Sequence, residues 1–216
     1  MDARALPPSF FDRLDPSPDP SFYAAPRLVT HIDAGAIRAV GALYEELGLR
    51  GELLDLMSSW VSHFRAAPQR LVVLGLNPTE LAANRQAAQR VVQDLNADPA
   101  LPFAAASFDG ATCCVSVDYL VRPLEVFAEV ARVLRPGAPF VVTFSNRCFP
   151  GKAVRGWLEA DDRGRVEIVR AFFAATPGFG PASAQRRPEA AGDPLYGVWA
   201  ARTGVEGPPW PGSSPG

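Results

Sequence analysis

The sequence predicts one α/β domain, a doubly wound, mostly parallel sheet of seven strands that ends in an antiparallel strand pair. Two observations predict it. Apolar runs rich in β-forming residues alternate with amphipathic stretches of about 10 residues, a pattern typical of a parallel sheet covered by helices on both faces. The chain has 216 residues, 48% of them hydrophobic, which is enough to bury one core without disulfides or metal ions.

The strands and helices follow from the spacing of the apolar residues. The strands are predicted at 51–56, 70–76, 90–95, 108–117, 139–145, 179–187 and 194–202, and the last two form the antiparallel pair. Asp33 can cap a first helix that places its apolar side chains on one face and ends near Gly48. Further helices are predicted at 78–88, 123–134 and around 163–174.

Proline and glycine divide the chain into three parts. Prolines crowd residues 1–34, here called the leading segment, and its stretch from Phe22 to Asp33 is predicted to close over a ligand pocket as a lid. Residues 35–202 form the predicted domain. Residues 203–216 are rich in glycine and proline and are predicted to be a disordered tail.

Composition excludes several classes of function. The formal net charge is −2 and the isoelectric point is about 5.7, so no nucleic-acid partner is expected. No apolar run approaches the roughly 20 residues that span a bilayer, and no signal peptide is expected, which favours a cytoplasmic protein. The three cysteines lack the spacing of a metal site, so no metal is expected. The sequence does not determine the oligomeric state.

Ligands of parallel sheets bind beyond the carboxyl ends of the strands, so the residues that follow each strand matter most. The first strand ends in DLMSSWVSH (55–63), the second in GLNP (75–78) and the third in DLN (94–96). The fourth is followed by SVDYL (116–120) and the fifth by SNRCF (145–149). These five segments are the candidate site.

Two longer motifs connect these segments to a known family. LPF-x4-FD (101–109) and EVARVLRPG-x2-FVVTFSN (129–146) resemble class I S-adenosylmethionine (SAM)-dependent methyltransferases of the type 11, small-molecule group. DLMSSWVSH, VVQDLN, SVDYL, RPLEVF, FSNRCF and FY-x2-PR-x-VTHID (22–33) resemble a subgroup found in plants and bacteria. The resemblance implies a Rossmann-like fold, SAM as cofactor with S-adenosylhomocysteine (SAH) as product, and methyl transfer to a small molecule.

The resemblance also implies which residues hold the cofactor. They are Asp55, Met57, Ser58, Ser59, Trp60, Asn77, Asp94, Leu95 and Ser116. The family's first loop is D-x-G-x-G-x-G, but here Met57, Ser59 and Val61 stand at the three glycine positions. The loop must therefore follow another path or use side chains, and the Ser58 and Ser59 hydroxyls could replace close backbone contacts as donors.

Asn77 is a second departure from the family pattern. The family usually has Asp or Glu at this position, where the carboxylate accepts hydrogen bonds from both ribose hydroxyls. Asn77 offers one carbonyl acceptor and an amide donor, so it can still contact the ribose, but without charge assistance. Asp94 matches the acidic residue that the resemblance places near the adenine amine.

Several groups could act on the acceptor. His31, Asp118 and Tyr119 are the predicted catalytic residues, since a hydroxyl or amine acceptor needs a base whereas a thiolate does not. The predicted substrate-binding residues are Tyr23, Arg27, Asn146 and Arg147. Structural roles remain open for several of these residues. His31 could form a hydrogen bond at the start of a helix, and Asn146 and Arg147 could cap the turn into the next helix.

Two functions remain open, and a third, a different nucleotide enzyme on a doubly wound sheet, is disfavoured because the sequence has no GxGxxG motif or P-loop. One is a SAM-dependent methyltransferase that acts on a small molecule. The other is a methyltransferase-like fold that has lost turnover and serves as a binding or assembly module, an alternative that the missing glycines and Asn77 suggest.

Overall fold

A computed structural model describes residues 1–187 and 192–204. Seven strands form one sheet in the order β3-β2-β1-β4-β5-β7-β6. The strands are β1 (Glu52–Leu56), β2 (Arg70–Gly75), β3 (Gln89–Val92), β4 (Gly110–Cys114), β5 (Pro139–Phe144), β6 (Ser183–Arg187) and β7 (Leu195–Ala201). The fold predicted from the sequence is thereby confirmed, including the final antiparallel pair.

The strand order places a ligand crevice at β1. The sheet runs parallel from β3 through β5, and β7 is antiparallel to both β5 and β6. Strands β2 and β3 lie on one side of β1, and β4, the next strand in the chain, lies on the other side. Helices that connect such strands diverge at the crossing point, and the carboxyl end of β1 opens between them.

The helices are α1 (Asp19–Phe22), α2 (Ala34–Glu46), α3 (Pro78–Ala83), α4 (Pro123–Val133), α5 (Arg155–Glu159) and α6 (Asp162–Ala175). Asp33 caps α2 as predicted, because its side chain accepts a hydrogen bond from the Ala36 amide. The predicted helices at 123–134 and 163–174 correspond to α4 and α6. The short helices α1 and α5 have no counterpart among the predictions.

Helix α3 ends earlier than predicted. Its last residue is Ala83, whereas the periodicity suggested about residue 88. The guanidinium of Arg90 donates to the carbonyl oxygens of Leu81 and Asn84, so it satisfies carbonyls that a longer helix would have paired internally. The chain is then free to enter β3 at Gln89.

Two apolar cores cover the two faces of the sheet. One lies beneath α4 and α6 and is built around Phe127, Phe140 and Phe173. The other lies beneath α2 and contains Tyr44 and Val73. Helices bury both faces, as expected for a mostly parallel sheet. No helix in the described part of the chain is long and apolar enough to cross a membrane.

The leading segment packs on the domain through the chain's single lysine. Lys152 is fully buried, and its ammonium donates to the Ser17 carbonyl oxygen at 2.5 Å and lies 3.4 Å from carboxylate oxygens of both Asp15 and Asp19. Asp19, also buried, accepts from Arg13 at 2.6 Å. These charge-assisted bonds fix residues 13–19 against the segment that follows β5. Most of the predicted tail, residues 205–216, lies outside the described residues.

Gly75, the last residue of β2, lets the loop after β1 pass close to the sheet. The amide of Ser58 donates to the Leu74 carbonyl at 2.8 Å, and a side-chain carbon at position 75 would overlap the Ser58 carbonyl oxygen. Because that oxygen belongs to the backbone, it cannot rotate away. Any residue larger than glycine must therefore displace the loop.

We expect Gly75→Ala to lower the free energy of unfolding by about 2 kcal/mol, in the range measured for overpacked sites. Denaturant unfolding followed by circular dichroism measures the change. Gly180→Ala is the matched control, since a side-chain carbon there meets its nearest atom at 3.6 Å. Equal stability of Gly75→Ala and wild type would contradict the close approach.

Candidate functional site

A cavity opens at the carboxyl ends of β1, β2 and β4, beneath the leading segment. All nine residues predicted to hold the cofactor line it: Asp55, Met57, Ser58, Ser59, Trp60, Asn77, Asp94, Leu95 and Ser116. Tyr23, Arg27, His31 and Tyr119 line it as well. The sheet therefore brings together residues that are far apart in the sequence, at the place where the strand order predicts a ligand.

The loop after β1 keeps a glycine-like path without glycine. Met57 has a φ of 51°, in the left-handed region that favours glycine. The Asp55 carboxylate holds the loop, because it accepts hydrogen bonds from the Ser58 and Thr112 hydroxyls, each at 2.6 Å. Burial raises the pKa of Asp55, and its hydrogen bonds, including those from Ser58 and Thr112, oppose that shift.

Glu80 is a second buried carboxylate that braces the loop. It accepts from the Ser59 hydroxyl and from the Arg27 amide, both at 2.6 Å, and so joins the loop to the leading segment. The hydroxyls of Ser58 and Ser59 thus donate to protein carboxylates, not into the cavity. Sequence reasoning missed Glu80, whose position three residues after the cap Asn77 is typical of a residue that only completes a helix start.

Both atoms of the Asn77 carboxamide are engaged within the protein. Its oxygen accepts from the amides of Thr79 and Glu80, which caps α3. Its nitrogen donates to the carbonyl oxygens of Tyr23 and Ala24, at 2.9 and 3.2 Å. Asn77 therefore ties the leading segment to the end of β2.

The segment after β3 forms another part of the cavity wall. Asp94 accepts from the Asn96 and Ala97 amides, which makes a tight turn, and Leu95 is buried. The Asn96 side chain donates to Asp19 at 2.8 Å and to the Tyr119 carbonyl oxygen at 2.9 Å. Asn96 therefore joins the leading segment, this turn and the end of β4.

Aromatic rings cover the cavity from the side of the leading segment. Phe22, Tyr23 and Phe149 contact one another edge to face, with ring centroids 4.8 to 6.4 Å apart, and we call them the aromatic cluster. The His31 ring lies 5.2 Å from Phe149. Burial lowers the pKa of His31, with Glu80 opposing the shift, so the imidazole is neutral at pH 7.

Two further contacts close this side of the cavity. The Trp60 indole donates to the Val29 carbonyl oxygen at 3.0 Å, which joins the loop after β1 to the leading segment. The Tyr119 hydroxyl accepts from the Phe149 amide at 2.9 Å. Phe149 lies within the FSNRCF motif, but no site role was predicted for it from the sequence.

Three predicted site residues do not line the cavity. Asp118 is buried, and its carboxylate interacts electrostatically with Arg165 and Cys148 and with the cavity residues Tyr23 and Tyr119. Burial raises its pKa to about 7. Arg147 points outward and pairs with Asp193 at 2.7 Å, so its charge is already balanced. Asn146 is exposed beside it. Each follows a strand end as predicted, but none of the three lines the cavity.

Comparison with known proteins agrees with this geometry. Residues 46–142, just under half of the chain, match the family model described as a methyltransferase domain. The match begins at the end of α2 and extends into β5, so it contains every strand that borders the cavity. Among curated proteins, none matches the sequence.

Solved structures share the fold at low sequence identity. The 1,6-didemethyltoxoflavin-N1-methyltransferase of Burkholderia thailandensis is 20% identical, with a TM-score of 0.58 over 79% of this chain and 80% of that one. The geranyl diphosphate C-methyltransferase of Streptomyces coelicolor A3(2) is 14% identical, with a TM-score of 0.57 over 92% and 100%. The [4+2]-cyclase SpnF is 15% identical, with a TM-score of 0.57 over 85% and 91%.

These three likenesses establish the fold alone, and the presence of a cyclase among them shows that the fold does not determine the reaction. The family match is more specific, because it covers β1, β2 and β4 and the loops that follow them at the cavity. Over residues 46–142 this chain is similar to a methyltransferase domain.

Proposed function

We propose that the protein transfers the methyl group of SAM to a small-molecule acceptor inside this cavity. One observation carries the proposal: the nine residues that the resemblance assigns to SAM line a single cavity, which Tyr23 and Phe149 of the aromatic cluster also line. The loops at the strand ends contribute the nine residues, and the leading segment and the segment after β5 contribute the two rings. Such an arrangement offers a cofactor side and an acceptor side in one enclosure.

The missing glycines fit this proposal. Met57 adopts the left-handed conformation at a cost on the order of 1 kcal/mol. The Asp55 and Glu80 carboxylates hold the loop in that path through Ser58 and Ser59. We therefore assign the two serines to shaping the cofactor loop instead of donating to the ligand.

Asn77 fits less well as a ribose ligand. Its oxygen already accepts two backbone hydrogen bonds and its nitrogen already donates to the leading segment. We assign it to positioning α3 and the leading segment. Asp94 and Leu95, on the turn after β3, remain the residues proposed to contact the adenine, and Ser116 after β4 remains beside them on the cavity wall.

When bound, SAM supplies a methyl group that is already activated for transfer, so the protein mainly aligns the acceptor and excludes water. The leading segment excludes water because it covers the cavity and is fastened by Asn77, Asn96 and Glu80. His31, neutral at pH 7, can accept a proton from a hydroxyl or amine acceptor at an imidazole nitrogen. A thiolate acceptor would need no base.

Calorimetric titration of SAH into the protein tests the cofactor assignment. We expect saturable binding by wild type and at least ~10-fold weaker binding by Ser59→Trp, because the indole would fill the cofactor side of the cavity. Ser183→Trp, on the exposed edge strand β6, is the matched control and should bind as wild type.

Absence of heat with wild type at millimolar SAH would refute the proposal and leave the alternative of a non-catalytic binding module. Equal binding by wild type and Ser59→Trp would show that the ligand binds elsewhere.

Asp118 is the predicted base that the geometry supports least, and its pKa gives a separate test. Because burial raises the pKa to about 7 from the ordinary 3.8, the folded state holds this proton to higher pH than the unfolded chain. The resulting stabilisation is present below about pH 4 and is lost as the pH rises to 7. Asp118→Asn keeps the site neutral at every pH.

Between pH 5 and pH 8, we expect the unfolding free energy of wild type to fall by on the order of 2–3 kcal/mol more than that of Asp118→Asn. Denaturant unfolding at both pH values measures this. The exposed Asp12→Asn should keep the wild-type dependence. Parallel curves for wild type and Asp118→Asn would mean that the carboxyl is not buried as described.

A further inference from the structure

We propose that Arg27 binds an anionic group of the acceptor, a carboxylate or a phosphate, inside the cavity. This inference rests on the proposed function and names the class of substrate. Arg27 belongs to the leading segment and lines the cavity. The proposed methyl transfer does not use its guanidinium.

The guanidinium is fixed before any ligand arrives. The Arg27 amide donates to Glu80 at 2.6 Å, which anchors the backbone on α3. From there the side chain extends to the aromatic cluster, where its guanidinium carbon lies 4.8, 5.7 and 5.5 Å from the ring centres of Phe22, Tyr23 and Phe149. Stacking against aromatic rings holds the planar group in one orientation at little further entropic cost on binding.

One nitrogen of this guanidinium lacks a hydrogen-bond acceptor among the described residues. Nη2 donates to the Phe22 carbonyl oxygen at 3.0 Å. Nη1 is buried, yet it has no hydrogen-bond partner among the described residues. No ion pair joins Arg27 to a carboxylate in this part of the chain, because Glu80 contacts only its backbone amide. A buried donor left unpaired is costly, and an anion that accepts from it removes that cost.

The position of Arg27 assigns the anion to the acceptor side. Its ring partners come from the leading segment and from Phe149, which follows β5, whereas the proposed adenine contacts Asp94 and Leu95 follow β3. His31, the proposed base, contacts the same Phe149 ring. An acceptor held by Arg27 would therefore lie against the aromatic cluster, beside His31.

The surroundings also define the rest of the acceptor. Tyr23 and Phe149 offer ring faces and edges, which favour an apolar or aromatic body next to the anionic group. A free anion such as chloride would satisfy Nη1 but would not contact the ring surface that Tyr23 and Phe149 present to the cavity. We therefore infer an anionic small molecule with an apolar or aromatic body.

Calorimetric titration with benzoate and with phenyl phosphate tests this, at constant ionic strength, with the protein free and saturated with SAH. We expect saturable binding of at least one probe to wild type, with a Kd in the millimolar range expected for so small a ligand. Arg27→Met should weaken it by at least ~10-fold, and Arg27→Lys, which keeps the charge, should weaken it less. Arg163→Met removes an exposed arginine of α6 and should match wild type.

The outcomes separate this inference from the proposed function. Binding of both probes to Arg27→Met as to wild type overturns it, and so does the absence of saturable binding to wild type up to ~50 mM. If Arg27→Met loses SAH but retains 5′-methylthioadenosine, which lacks the amino-acid part, Arg27 holds the cofactor carboxylate and the inference is wrong. If wild type binds a probe through Arg27 but not SAH, the anion site stands and the cofactor assignment fails.

Discussion

The position of the leading segment over the cavity depends on the contacts of the buried Lys152 ammonium. An unpaired charge in the protein interior is prohibitively costly, so this lysine is compatible with the fold only while Asp15, Ser17 and Asp19 surround it. All three partners belong to the leading segment. Because one buried charge needs these partners, residues 13–19 are fixed on the domain, and Phe22 and Tyr23, which follow them in the chain, are placed beside Phe149 at the cavity.

Buried charged groups also shape the site itself. In the loop after β1, buried carboxylates stabilise a left-handed backbone conformation that glycine adopts more readily. Asp55 and Glu80 hold the loop after β1 through the hydroxyls of Ser58 and Ser59, and Gly75 supplies the clearance that the loop needs. Because Glu80 also binds the leading segment, the shape of the loop and the closure of the cavity are coupled. A substitution in the loop should therefore also shift the leading segment, and a substitution in the leading segment should also shift the loop.

The sequence predicted the fold class and the positions of most strands and helices, because these follow from local apolar patterns. The order of the strands in the sheet depends on contacts between distant segments and came from the structure. The sequence also identified the cavity walls, since residues after parallel strands converge on one edge. It could not show which way each side chain turns: Asp118 and Arg147 follow strands as expected, yet Asp118 is buried outside the cavity lining and Arg147 pairs with Asp193. Glu80 was missed because its partner Ser59 is distant in sequence, so no local pattern reports their contact.

Hydrogen exchange of the backbone amides in residues 15–27 tests most directly that Lys152 fastens the cover of the cavity. In wild type without ligand we expect these amides to exchange far more slowly than in an unfolded chain, since those of Asp15, Tyr23 and Arg27 are bonded. Lys152→Met should expose them while α2 stays protected, whereas Arg155→Met, which removes an exposed ion pair to Asp12, should change little. Unprotected amides in wild type, or protection unchanged in Lys152→Met, would contradict the account.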